Sequence, residues 1–272
     1  MTAESAATLA ARVPDGACIA LAPDYSGCSI ATILALAARG ARELHLVAVP
    51  QLGFQGDVLI GAGCVGIVEA AAVSLGEQGA APRFQAALRA GTIEMRDATC
   101  PAIHAALQAA EKGAPFMPLR GVIGSDLVPN RPDWKVIDNP FGVDDPVLVV
   151  PALAPDVALL HAPMADREGN VWIGIRRELM LMAHAARRTL VTVEEIVDGR
   201  LLDDPALAAG TIPALYVEAV ACVPAGARPN GLFGRYPPDR AALAAYAEMA
   251  RTEEGFAAWL GRQLATPEAV GA

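Results

Sequence analysis

Short runs rich in Val, Ile and Leu alternate along the chain with Ala-rich segments of helical period, the rhythm of a parallel sheet covered by helices on both faces. Runs at 18–22, 44–49, 65–73, 92–96, 147–150, 157–161 and 189–193 read as strands. Segments at 29–39, 83–89, 102–112, 176–186 and 240–264 read as helices, the first three followed by Gly40, Gly91 and Gly113 as stop signals. The pattern predicts an α/β fold, an open and mostly parallel sheet with helices on both faces. Residues 121–146 lose the apolar period to Pro and Asp, yet Trp134, Val136, Ile137 and Phe141 in this excursion are expected to be buried. Residues 224–238 form a Pro/Gly-rich coil before the final helix. No repeat or low-complexity linker divides the chain, so residues 1–272 read as one domain.

Composition narrows the functional classes. A 54% hydrophobic content supports a large core and excludes disorder as the dominant state. With only 19% charged residues, it also predicts an apolar surface that associates with a partner. A net charge of -9 without a Lys/Arg run argues against nucleic acid. The apolar stretch 147–164 is broken by Pro151, Pro155, Asp156, His161 and Pro163, so no membrane span is expected. The first residues lack the basic flank and apolar core of a secretory signal, which predicts a cytoplasmic protein. Cys18, Cys28, Cys64, Cys100 and Cys222 contain no C-x-x-C pair and read mostly as buried small side chains in a reducing compartment. The four histidines lie far from one another, and Cys100 and His104, four residues apart, have no third His or Cys beside them in the sequence, so no metal site is expected.

Three loops and one acidic pair carry candidate chemistry. Residues 23–27, PDYSG, turn from a first strand into a helix, where small residues such as Ser26 and Gly27 can offer backbone N–H groups to an anion, or Ser26 or Asp24 can simply cap the helix. The glycines of 61–66, GAGCVG, lead into a strand rather than out of one, which argues against a dinucleotide fingerprint and leaves a close ligand approach or a tight turn. Residues 164–171 hold the turn formers Asp166, Gly169 and Asn170. Glu194 and Glu195 end the strand TLVTVEEIV; one carboxylate faces inward and needs a partner such as Arg188, with nucleophilic or basic catalysis as the alternative. There is no G-x-S-x-G, P-loop or H-E-x-x-H.

LIGAGCVG at 59–66, RGVIGSDL at 120–127, ADREGNVW at 165–172, VTVEEIVD at 191–198 and IPALYVEAVACVPAGARP at 212–229 occur in this order. In them the chain resembles the A-type (alpha) subunit of the class I coenzyme A transferases, most of all the glutaconate CoA-transferase branch. The resemblance implies a class I CoA-transferase-like, NagB-like fold and a heteromer of similarly folded A-type and B-type subunits with the active site between them. It further implies that a glutamate of the B-type partner attacks the acyl-CoA thioester, giving an acyl-glutamyl anhydride and then a glutamyl-CoA thioester. No catalytic residue is then expected in this chain, Glu194 and Glu195 being the secondary candidates. Ser26, Gly27, Gly61, Gly63, Ser74 and Ser125 would bind substrate, the loop at 61–66 lying at the carboxyl edge of the sheet.

No cofactor would be held permanently, since the coenzyme A thioester is a substrate; the other small-molecule partner is a carboxylic acid. The first loop of such proteins often carries several glycines, whereas here it reads APDYSGCS. Related A-type chains that hydrolyse a ring of a steroid-derived CoA thioester place a catalytic Glu after the strand matching TIEMRD. Here Cys100 takes that place, or Asp97 if the alignment shifts by three residues. The alternatives to the transferase are the A-type chain of a ring-opening hydrolase and a non-catalytic acyl-CoA-binding protein.

Overall fold

The computed structural model describes residues 4–265. Seven parallel strands form the central sheet: β1 (Cys18–Leu21), β2 (Leu44–Ala48), β3 (Val65–Ala70), β4 (Glu94–Asp97), β5 (Val157–Ala162), β6 (Thr189–Val193) and β7 (Ala219–Cys222). Their spatial order is β7-β6-β5-β1-β2-β3-β4. The chain first moves outward from β1 and then returns to β5 on β1's other side, which makes the β1–β5 boundary the switch point where α/β sheets open a crevice.

Alternation along the strands sends side chains into two apolar layers. Ile19, Leu21, Leu44, Leu46 and Leu159 enter one, while Ala20, Val47, Ala158 and Leu160 enter the other. Helices α1 (Ala6–Ala11), α2 (Ile30–Ala38), α3 (Phe54–Gly61) and α4 (Pro82–Ala90) cover the first layer. The second lies under α5 (Cys100–Glu111) and α6 (Arg177–Ala185), beside an antiparallel sheet of Phe116–Leu119, Pro146–Pro151 and Lys135–Asp138. A smaller sheet joins Ile196–Val197, Met164–Asp166, Val171–Trp172 and Thr211–Ile212.

The parallel α/β class agrees with the sequence pattern, but several elements differ. The strand foreseen at 147–150 belongs to the antiparallel sheet, and the run 65–73 breaks at Ala71. Of the four side chains expected to be buried in the 121–146 excursion, only Trp134 is, whereas Phe141 is 96% exposed and Val136 and Ile137 lie on an outer strand. Cys28 and Cys64 are buried, Cys18 is partly so, and Cys100 and Cys222 are exposed. No described helix is long and apolar enough to cross a membrane.

The single final helix foreseen at 240–264 is two helices, α7 (Arg240–Met249) and α8 (Glu253–Leu264). Thr252 between them accepts the Gly255 N–H at 3.0 Å and starts α8 as its cap. The break lets Tyr246, Phe256 and Trp259 fold onto Phe54 of α3, with Phe54–Tyr246 and Tyr246–Trp259 centroids each 4.7 Å apart, edge to face. The buried Tyr246 hydroxyl donates to Asp57 Oδ2 at 2.7 Å, and Asp57 Oδ1 accepts the Phe84 N–H at 2.8 Å. Burial pushes the Asp57 carboxyl up to about 6, against the pull of these donors. Trp259→Ala is expected to cost about 3–5 kcal/mol of unfolding free energy in denaturant titration; a loss below about 1 kcal/mol would mean that the aromatic cluster does not hold α3.

Candidate active site

A cavity of about 780 Å3 opens at the carboxyl edge of the sheet. Asp24 and Tyr25 follow β1, Gln51 to Gly53 follow β2, and Ser74 to Gln78 follow β3. Arg176, just before α6, and the coil from Asn230 to Pro238 complete the wall. The parallel sheet brings these loops together because every strand ends on the same side.

The coil is held by Glu194, one residue past β6. Its Oε1 accepts from His161 Nε2 at 2.7 Å and from the Tyr236 hydroxyl at 2.6 Å, and Oε2 accepts the Ala225 N–H at 2.8 Å. Burial alone would raise the carboxyl's pKa, but these three donors outweigh it and bring it down to about 2. Burial lowers the His161 pKa despite Glu194, so the imidazole is neutral at pH 7. With Glu194 ionised, Nε2 carries the donated proton, and Nδ1 accepts from the Thr192 hydroxyl at 2.8 Å. Thr192 in turn meets Ser29 Oγ at 2.7 Å. A carboxylate whose two oxygens are occupied in this way is a poor base and a poor nucleophile. Glu195 points elsewhere, paired with Arg235, which also donates to the Pro163 carbonyl at 3.2 Å. The partner foreseen for this pair, Arg188, lies instead beside Glu218 at 3.8 Å.

On the opposite wall Asp24 caps α3, accepting the Phe54 N–H at 2.9 Å, and accepts from the Asn230 amide at 3.1 Å. Burial raises Asp24 to about 6 while these donors pull it down. One carboxylate thus joins the β1 loop, the start of α3 and the coil.

The residues singled out in the sequence separate into two groups. Ser74 lines the cavity. Ser26 is buried beside it with its hydroxyl on Glu178, and Gly27 is packed so tightly at φ +93 that a Cβ would overlap the His161 carbonyl oxygen. Gly61 and Gly63 do not join them. They end α3 and lead into the amino end of β3, so the loop at 61–66 sits at the edge opposite the cavity. There a Cβ on Gly61 would meet the Phe256 ring at 2.6 Å, and Gly63 at φ +70 closes the helix, which makes both helix-end glycines. The expectation erred because a glycine run that precedes a parallel strand necessarily lies at that strand's start. Ser125 is exposed, bonded to the Val122 carbonyl at 2.7 Å, and does not line the cavity. Cys100 is exposed at the first turn of α5, directly beyond β4. Sequence reasoning gave Asp24 only as a possible helix cap and missed Arg176, Asn230 and Tyr236; the polar residues inside a Pro/Gly coil were the available signal for the last two.

The coenzyme A transferase family matches residues 3–222. The A-type subunit of 3-oxoadipate CoA-transferase from Pseudomonas knackmussii is 35% identical over 230 residues, covering 82% of this chain and 78% of that protein. The A-type subunit of glutaconate CoA-transferase from Acidaminococcus fermentans is 34% identical over 221 residues, covering 75% of this chain and 68% of its own length. The solved structure of that enzyme superposes with a TM-score of 0.87 at 28% identity, covering 97% of this chain and 88% of that one. A variant of the decarboxylase AibA/AibB superposes with a TM-score of 0.84 at 31% identity, covering 95% of this chain and 98% of that one.

A carboxyl held at about 2 stabilises the fold above its ordinary pKa near 4.5 and loses that contribution as pH falls toward 2. Glu194→Gln, which leaves donors facing an amide, is therefore expected to lower stability at pH 7 by on the order of 2 kcal/mol. The difference from wild type should shrink as urea titrations move from pH 5 to pH 2.5. A pH-independent difference would show that the charge of Glu194 is not what holds the coil.

Proposed function

Because the chain belongs to the coenzyme A transferase family, we propose that it is the A-type subunit of a two-subunit enzyme that moves coenzyme A between an acyl-CoA and a carboxylic acid. In this reading the nucleophile is a glutamate of the partner subunit. Its carboxylate forms a C–O bond to the thioester carbonyl as the C–S bond breaks and CoA leaves as thiolate. The thiolate then attacks the glutamyl carbonyl of the anhydride, releasing the first acid and leaving glutamyl-CoA, and the second acid runs the sequence in reverse. This chain supplies walls and hydrogen-bond donors, among them Ser74, for the oxyanions that form on the way, with Ser26 and Gly27 fixing the loop beside them.

One observation carries the assignment of the nucleophile to the partner: the carboxylates that line the cavity, Asp24 and Glu77, and the two just past β6 are committed. Glu194 holds three donors, Asp24 caps α3, Glu195 pairs with Arg235 and Glu77 pairs with Arg240 at 2.8 Å. Apolar side chains that the fold leaves in solvent, Phe141 at 96%, Val143 at 90%, Leu215 at 87% and Ile175 at 68% exposed, supply the surface for such a partner.

The purified chain is expected to show no CoA transfer, and the complex with a B-type subunit, isolated by size exclusion, should transfer CoA from an acyl-CoA to a second acid. Hydroxylamine added after acyl-CoA alone should modify a glutamate of the partner and none here. Release of free CoA without a new thioester would identify a hydrolase, and transfer by the single chain would overturn the reading.

A further inference from the structure

A second cavity, of about 740 Å3, lies between α5 and α6 and shares only Phe233 with the lining of the first. Its size is that of a small-molecule site. Trp172, Ile173, Ile175, Met180, Leu181 and Phe233 give it an apolar wall. The Trp172 and Phe233 rings stand side by side over Gly174, where a Cβ would come within 3.5 Å of the first and 3.3 Å of the second. On its other side Phe233 holds the Arg176 guanidinium of the first cavity, 5.7 Å from the ring centroid.

Five polar side chains interrupt this lining, and two of them are committed. Glu111 meets His184 Nδ1 at 3.2 Å, and Glu178 accepts the Ser26 hydroxyl. The other three have no such partner among the described residues. Arg177 and Gln108 make no side-chain hydrogen bond or ion pair there, and His104 Nε2 is buried with nothing to bond. Burial lowers the His104 pKa despite Glu178, so the ring is neutral at pH 7. A buried polar nitrogen without a partner is costly, and a ligand that reaches it removes that cost. Arg177 thus presents an uncommitted positive charge at the rim of an apolar cavity that also offers an amide and an imidazole.

We propose that this second cavity binds an aromatic monocarboxylate, apart from the site where coenzyme A is moved. The Arg177 fork matches the carboxylate with two parallel N–H···O bonds, and Gln108 and His104 complete its shell. The ring of the acid lies against Trp172, Phe233 and Leu181. A second carboxylate on the ligand would face Glu111 and Glu178, which repel it, so an acid with one charged end is selected. The inference does not depend on the transferase reading.

The test titrates 3-phenylpropionate by calorimetry into the complex with the B-type partner, with 3-phenylpropanol as the uncharged analogue. One acid per A-type chain is expected, with the alcohol roughly 10-fold weaker or more, the effect of losing a hydrogen-bonded charge. Arg177→Gln should weaken the acid to the level of the alcohol and leave the alcohol unchanged. Leu181→Trp, which fills the cavity, should abolish binding of both while the unfolding midpoint reports an intact fold. Saturating coenzyme A should leave the affinity for the acid unaltered. No saturable binding, equal binding of acid and alcohol, or an Arg177→Gln complex with wild-type affinity overturns the proposal. So does weakening by Arg176→Gln in place of Arg177→Gln, because the acid then occupies the first cavity. Binding by the single chain that the complex lacks overturns it too, because the partner then fills the groove. The titration reads binding alone, so its result stands whether or not the complex transfers coenzyme A.

Discussion

Both faces of the parallel sheet are sealed by apolar layers, so a polar group can reach the cavity only where a strand ends. His161 shows how far this constraint reaches. It lies within β5, fully buried, and an imidazole there must find partners on the neighbouring strand or just past its end. Thr192 satisfies one nitrogen from inside β6, and Glu194, just past the end of β6, satisfies the other. Glu194 then draws Tyr236 and the Ala225 N–H onto itself. The coil that roofs the cavity is therefore positioned by a chain of hydrogen bonds that starts in the core of the sheet, and a mobile loop would not give Arg176 and Ser74 a fixed opposite wall.

The second wall depends on α3 in a comparable way. Its amino end is capped by Asp24, and its body is pressed onto the sheet by Tyr246 and Trp259. Asp57 links that aromatic cluster to the start of α4 through the Phe84 N–H. The two carboxylates on this helix side, Asp24 and Asp57, sit in apolar surroundings that raise each to about 6. Glu194 is reached by three donors but is less deeply buried, and it is driven in the opposite direction to about 2. Depth of burial, set against the N–H and O–H groups that reach each carboxylate, separates these structural anchors.

Period and composition carried the α/β class and most sheet strands, because a strand buried on both faces is largely apolar, as CIAL is throughout and TLVTV is apart from its two threonines. They did not reveal α3, whose sequence FQGDVLIG contains two glycines and draws its stability from Trp259 and Tyr246, far along the chain. Nor did they reveal the break between α7 and α8, since the apolar period continues across it and only Thr252 marks the new start. Of the candidates named by position, Ser74 lies on the cavity wall, while Gly61 and Gly63 misled because glycine at a helix end and glycine beside a ligand have the same composition. Arg176 was invisible, because the two rings that hold its guanidinium, Tyr25 and Phe233, are brought together only by the fold.

The hydrogen bonds that complete the cavity join remote parts of the chain. Asn230 and Asp24 are 206 positions apart, and Tyr246 and Asp57 are 189 apart. A nascent chain that has emerged only through β7 holds all seven strands of the sheet, yet α3 still lacks its aromatic cover and Glu194 its coil. Phe54 and the apolar side of α3 then face solvent until α7 and α8 pack on them, and apolar surface exposed in this way is where an incomplete fold is open to aggregation.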